Sequence, residues 1–195
     1  TFADLDNDGD PDLILGTRMY QNTGRSRFQA VGVLAIDPEN LGGFSIADYD
    51  RDGLLDIYVT RHATAPKSTD AKSSWLDDRT GPGNTLLRNL SNWRFEDVTA
   101  TSGTSAGTVS CFAAVWLDAN GDMWPDLFVS DEFGSPVLLV NQKNGTFESR
   151  SVTGGFGGFC MGLAAGDLDD DGRIDLYLAN MYSKAGERVL SNLNF

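Results

Sequence analysis

The chain has 195 residues, 41% of them hydrophobic, which is enough for a substantial core and too apolar for a disordered acidic tail. Its 28 acids against 15 bases give a formal net charge of −13, which argues against the basic face that nucleic-acid binding requires. No run reaches the roughly 18 apolar residues needed to span a membrane.

The chain opens with Thr1-Phe2-Ala3, leading directly into an acidic loop, Asp4-Leu5-Asp6-Asn7-Asp8-Gly9-Asp10-Pro11-Asp12. Oxygen-bearing side chains stand at loop positions 1, 3, 5 and 9. A short apolar run, Leu13-Ile14-Leu15, predicts a strand. A second predicted strand, Met19-Tyr20-Gln21, ends at Asn22, and a third begins at Phe28. A strand of small residues, Gly43-Phe44-Ser45-Ile46-Ala47, then enters a second loop with Asp48, Asp50, Asp52 and Asp56. The cycle repeats with Ile57-Tyr58-Val59, Leu86-Leu87-Arg88-Asn89, Phe95-Glu96-Asp97-Val98-Thr99 and Ala113-Ala114-Val115-Trp116-Leu117. The third loop carries Asp118, Asn120, Asp122 and Asp126, followed by Leu127-Phe128-Val129, Leu138-Leu139-Val140-Asn141 and Phe147. Gly162-Leu163-Ala164-Ala165-Gly166 enters the fourth loop, with Asp167, Asp169, Asp171 and Asp175, before Leu176-Tyr177-Leu178 and Val189-Leu190-Ser191-Asn192.

Carboxylates on alternate residues of a tight turn converge on one point, and a hard cation such as calcium takes six to eight oxygens in a flexible cage. Good turn chemistry accounts for one Asp- and Gly-rich loop. It does not account for four in one register, where ionised groups this close repel without a cation. An EF-hand is ruled out, because its bidentate Glu at position 12 is replaced by Leu15, Val59, Val129 and Leu178. The loops therefore join strand to strand. Up to four calcium ions are predicted, and they would take the net charge from −13 to about −5. The third site is expected to be weakest. It has Asn120 for an Asp, and Met123 stands where Gly9, Gly53 and Gly172 stand in the other loops, at a position suited to positive φ. Gly121 offers another way to relieve that turn.

The loops begin at Asp4, Asp48, Asp118 and Asp167, spaced 44, 70 and 49 residues apart. Four short strands per period predict an all-β fold, the blades of a β-propeller, with the small-residue strand innermost. The repeats run approximately over 1–47, 48–117, 118–166 and 167–195, one propeller segment within residues 1–195. Propellers commonly have four to eight blades, so the chain is expected to belong to a larger propeller or to close through another chain. Because Thr1 stands inside a motif, a processing segment upstream is also expected.

The loop pattern, an apolar strand, a strand ending in Asn and then F-x-x-V-T together resemble the FG-GAP/VCBS repeat of integrin-α-like propellers. The likeness is strongest to the cartilage acidic protein and ASPIC/UnbV branch, carried by Ile46-Ala47-Asp48-Tyr49-Asp50, Arg94-Phe95-Glu96-Asp97-Val98-Thr99 and Leu178-Ala179-Asn180-Met181-Tyr182. The resemblance implies that side chains at positions 1, 3, 5 and 9 bind calcium together with the position 7 carbonyls of Asp10, Leu54, Trp124 and Arg173. It also implies a secreted or cell-surface location, where calcium saturates even weak sites.

If the acidic loops share one face, the links from second to third strand lie on the other. The link at 61–83 is long and carries His62, Lys67, Trp75, Asp77, Asp78 and Arg79. Such a loop suits a protein or glycan ligand, and equally a solvated insertion. Trp116 and Trp124 are expected to pack between blades. Cys111 and Cys160 each precede an acidic loop by seven residues and form either a disulfide or two buried thiols. Of the sequons at Asn89 and Asn144, the latter is the better glycosylation turn, and Asn89 is expected to serve a structural hydrogen bond.

Three functions compete. The first is a non-enzymatic, calcium-stabilised extracellular scaffold for binding or adhesion. The second is a structural subunit that self-associates through blade edges. The third is a propeller enzyme acting on polysaccharide or phosphoester. The third is disfavoured, because the acids it would need already serve as ligands.

Overall fold

The computed structural model describes residues 1–62, 81–107, 110–132, 135–152 and 160–180. Within them the regular secondary structure is almost entirely strand. It forms three four-stranded antiparallel sheets and one two-stranded sheet, each with neighbours in chain order. The first sheet holds β1 (Phe2–Ala3), β2 (Asp12–Leu15), β3 (Arg18–Asn22) and β4 (Phe28–Val33). The second holds β5 (Leu41–Ala47), β6 (Asp56–Arg61), β7 (Thr85–Asn89) and β8 (Phe95–Asp97). The third holds β9 (Ala114–Leu117), β10 (Asp126–Val129), β11 (Val137–Asn141) and β12 (Phe147–Ser151). The last pairs β13 (Cys160–Gly166) with β14 (Asp175–Asn180). The predicted strand at 189–192 lies outside the described residues. No described helix is long and apolar enough to cross a membrane.

The hydrophobic cores lie between successive sheets. Ile14, Met19 and Leu34 of the first repeat pack against Ile57, Val59 and Leu87 of the second. Tyr58 and Leu86 face the other way, onto Leu127, Val129 and Leu139 of the third. Strand periodicity sends alternate side chains to opposite faces, so β6 is buried along its whole length. Each fully buried Ile, Leu or Val on these faces stabilises the stack by roughly 1.5–3 kcal/mol. β2 has a sheet on one side only, so Leu15 is 63% exposed.

The first strands of successive sheets lie side by side, β5 beside β9 and β9 beside β13. Gly42 shows how close that approach is: a Cβ there would stand 2.4 Å from the Cys111 carbonyl oxygen and 2.7 Å from Thr60 Oγ1. A side chain of any size is excluded at that position.

One predicted strand is corrected. Phe95–Thr99 does not stay extended, because β8 stops at Asp97 and Thr99–Ser102 form a single helical turn, α1. The Asp97 carboxylate accepts hydrogen bonds from the Thr99 N–H and hydroxyl, which turns the backbone out of the sheet. Gly103 ends the turn at φ 73°.

Candidate metal centres

Each acidic loop joins the first and second strands of its sheet and is organised from its own carboxylates inward. The position 1 Asp binds the backbone of the turn. Asp4 accepts N–H groups from Asp8 and Gly9, Asp48 from Asp52 and Gly53, and Asp167 from Asp171 and Gly172. Asp118 does the same for Gly121, Asp122 and Met123. The position 5 Asp accepts the N–H of position 7, so Asp10, Leu54, Trp124 and Arg173 donate to Asp8, Asp52, Asp122 and Asp171.

Position 9 is different. Asp12, Asp56 and Asp126 are 0% exposed. One oxygen of each accepts the N–H of loop position 2 (Leu5, Tyr49, Ala119), at 2.9, 3.1 and 3.0 Å. The other accepts the N–H of the repeat asparagine (Asn22, Asn89, Asn141), at 2.9, 2.8 and 2.8 Å. Asp175 likewise accepts from Leu168. This carboxylate ties the start of its loop to the end of a strand two positions across the sheet. Desolvation by burial pushes the Asp12 and Asp126 carboxyls up, and that of Asp56 up to about 7. Negative charge held here calls for compensation.

The turn needs two left-handed residues, at positions 4 and 6. Asn7, Arg51 and Asp170 take the first at φ 60°, and Gly9, Gly53 and Gly172 the second at 93, 90 and 82°. The third loop exchanges them, with Gly121 at φ 76° and Met123 at 67°. Met123 thus adopts the position expected to resist it. Gly121 occupies the other left-handed position and does not form a separate turn. Each loop has one glycine and one residue that pays a left-handed cost of about 1–2 kcal/mol, a cost Asn and Asp reduce by local hydrogen bonding.

Three of the loops gather carboxylate oxygens within 4.8 Å of one another: Asp4, Asp6 and Asp8; Asp48, Asp50 and Asp56; Asp167, Asp169 and Asp175. The third loop, fully described, forms no such group. Asn120 turns its Oδ1 to the Asp122 N–H at 2.9 Å, and Lys143 Nζ pairs with Asp122 Oδ2 at 3.1 Å. Against desolvation, the Trp124 N–H and Lys143 hold the Asp122 carboxyl below its ordinary range. In the first loop, Asp6 Oδ1 is buried and meets no donor in hydrogen-bonding geometry among the described residues. Desolvation, then the charges of Asp12 and Asp8, raise its pKa. An orphaned carboxylate oxygen beside two others fits a hard cation. The residues that would hold one are Asp4, Asp6 and Asp8 here, Asp48, Asp50 and Asp56 in the second loop, and Asp167, Asp169 and Asp175 in the fourth.

The first three loops share one side of the stack and touch in series. Asn7 Nδ2 donates to the Gly53 carbonyl at 2.7 Å, and the Arg51 guanidinium lies 5.4 Å from the Trp124 ring. Trp116 packs edge-on to Tyr58 in the core, with ring centroids 6.3 Å apart. Spacing did not reveal the residues that reach the loops from neighbouring strands. Gln21 Nε2 donates to Asp6 Oδ2 at 2.7 Å, and Arg88 Nη2 to Asp52 Oδ2 at 3.1 Å. The available signal was their shared place, one residue before the repeat asparagine. The asparagines themselves bridge repeats. The Asn89 amide donates to the Leu5 and Leu55 carbonyls, and that of Asn141 to Tyr49 and Pro125. Asn89 is 1% exposed, in keeping with a structural role.

On the opposite side, past the end of β6, His62 stacks on Phe112 with centroids 5.1 Å apart and planes 18° apart. Its Nδ1 is buried with no hydrogen-bond partner among the described residues. Nearby, Ser110 Oγ donates to Glu132 Oε2 at 2.8 Å, and desolvation raises the Glu132 carboxyl while His62 opposes that rise. Lys67, Trp75, Asp77, Asp78 and Arg79 lie outside the described residues. Cys111 and Cys160 are buried free thiols, and desolvation pushes Cys111 up to about 12.

No curated protein matches the chain. The family model for the FG-GAP-like repeat matches residues 4–59 and 118–178, well over half of the chain, with each matched segment beginning at an acidic loop. The chain belongs to the FG-GAP-like repeat family.

Proposed function

We propose that this chain is a segment of a calcium-stabilised β-propeller that serves outside the cell as a binding or adhesion scaffold. Within the family its motifs favour the cartilage acidic protein and ASPIC/UnbV branch. The observation that carries the metal reading is the convergence of three carboxylates in each of three loops, with Asp6 Oδ1 orphaned at the first. The ion's role is structural. Bound calcium neutralises carboxylates that the fold crowds together, and the loop's own N–H groups hold the cage in register.

The apolar outer face of the first sheet, with Phe2, Leu15 and Val33 all more than 60% exposed, supports a further repeat packing there. The ligand proposed for the side opposite the loops is a protein or a glycan. It would be recognised by the His62–Phe112 stack, the unpaired His62 nitrogen and Glu132. Binding is proposed in preference to turnover, because the loop acids are committed to backbone N–H groups and, in this reading, to calcium.

Thermal melts after exhaustive chelation test the metal reading. Calcium at about 100-fold over its dissociation constant should raise the midpoint by roughly 5–10 °C per site, and matched sodium chloride should not. An identical midpoint with chelator and with calcium would overturn it.

A further inference from the structure

We propose that Arg88 is the resident cation of the second acidic loop, and that the residue just before the repeat asparagine, Gln21 or Arg88, decides whether the first and second loops take a divalent ion. The inference rests on the calcium reading of the first and fourth loops and narrows it.

The equivalent residues are Gln21, Arg88 and Val140, each preceding Asn22, Asn89 or Asn141. They meet their loops differently. Gln21 is neutral and engages only Asp6 Oδ2, which leaves Asp6 Oδ1 buried and without a donor. Arg88 brings a full positive charge. Its Nε lies 2.8 Å from Asp50 Oδ2, an ion pair outside hydrogen-bond geometry, and its Nη2 donates to Asp52 Oδ2. Burial lowers the guanidinium pKa, but Asp52 and Asp50 more than offset this and hold it above its ordinary value. Asp50 belongs to the group of three carboxylates that would form the second site. A calcium ion there would have to displace the guanidinium or sit beside it, and like charges at this range repel strongly away from bulk water.

The other loops mark the contrast. Val140 brings no polar group, and Lys143 supplies the third loop's charge from two residues past Asn141. In the fourth loop Arg173 pairs with Asp171, but Asp171 lies outside the Asp167, Asp169 and Asp175 group, and the Arg173 side chain is 85% exposed. Among the described residues no cation enters the fourth group. The structure thus assigns divalent ions to the first and fourth loops and built-in cations to the second and third.

Calcium titration calorimetry on chelator-stripped protein reads this directly. The native chain should bind two ions. Arg88→Gln should add a third, with affinity for the new site raised on the order of tenfold or more. Asp48→Asn on that background should remove it again, placing the added ion in the second loop. Gln21→Arg should cost the native chain one ion, and Arg88→Lys should leave two. Circular dichroism melts of each variant establish folding. A native chain that binds three ions, with Arg88→Gln leaving the count unchanged, would overturn the role of Arg88 while leaving the calcium reading intact. Absence of calcium binding in both native and Arg88→Gln protein would overturn both.

Discussion

The inner end of each acidic loop and its outer rim are made of the same side chain, yet the protein holds them by opposite means. In the first three loops the inner-end carboxylate is sealed from water, and two backbone N–H groups engage it, one on each oxygen. At the rim several carboxylates stand half-buried or exposed, share the turn's N–H groups and still leave oxygens to spare. Desolvation makes charge costly at the inner end, so the fold supplies fixed dipoles. Mutual repulsion makes charge costly at the rim, so the fold leaves room for a cation or brings in Arg88 or Lys143. The inner end is held first by backbone N–H groups, although Asp56 and Asp175 also stand in their loops' groups of three carboxylates. The rim is where repeats differ.

Removing an inner carboxylate where no ion complicates the result tests this most severely. Asp126→Ala leaves the Ala119 and Asn141 N–H groups without their acceptor and should cost about 2–5 kcal/mol. Urea denaturation should give the same loss with calcium as with chelator. A loss that calcium rescues would erase the distinction between inner end and rim. Next in size is Asn141→Ala, which removes the amide bridging the Tyr49 and Pro125 carbonyls and should cost about 1–3 kcal/mol. Asn22 reaches only Pro11 with its amide, so Asn22→Ala should cost clearly less in the same assay. Equal losses would mean that the link to the preceding repeat contributes nothing. The smallest effects belong to the rim. Asp169→Asn should lower the calcium count by one, and Asp122→Asn should leave it unchanged, because Lys143 already answers that carboxylate. A lost ion in both variants would restore the third loop as a metal site.

Much of this was legible in the chain itself, for a physical reason. Turn chemistry and strand alternation are encoded in contiguous residues, so the loops, the strands from Asp12 to Leu178 and the small-residue first strands could be read directly. The departure of the third loop, which gathers no group of three carboxylates, was legible too, through Asn120. The rest depends on which segments meet. The Arg88 contacts with the second loop join residues 36 apart, and the Asn89 contact with Leu5 joins residues 84 apart. Neither pairing has a local signature. The helical turn at Thr99 was missed because a single side-chain acceptor, Asp97, outweighs the strand propensity of Val98 and Thr99. Met123 takes a left-handed φ despite its side chain, and Gly121, read as a separate relief of the turn, takes the loop's other left-handed position.

The repeat asparagine gives the stack a direction. Each amide reaches back to the loop of the repeat before it and also to its own, and the carbonyls it seeks sit at loop positions 2 and 8 in both cases traced. Gain or loss of one whole period preserves every such pairing, whereas a change of half a period strands a buried amide. The register of these hydrogen bonds therefore acts as a proofreading rule on duplication: it admits intact units and penalises fragments, whatever ion or ligand the resulting protein binds.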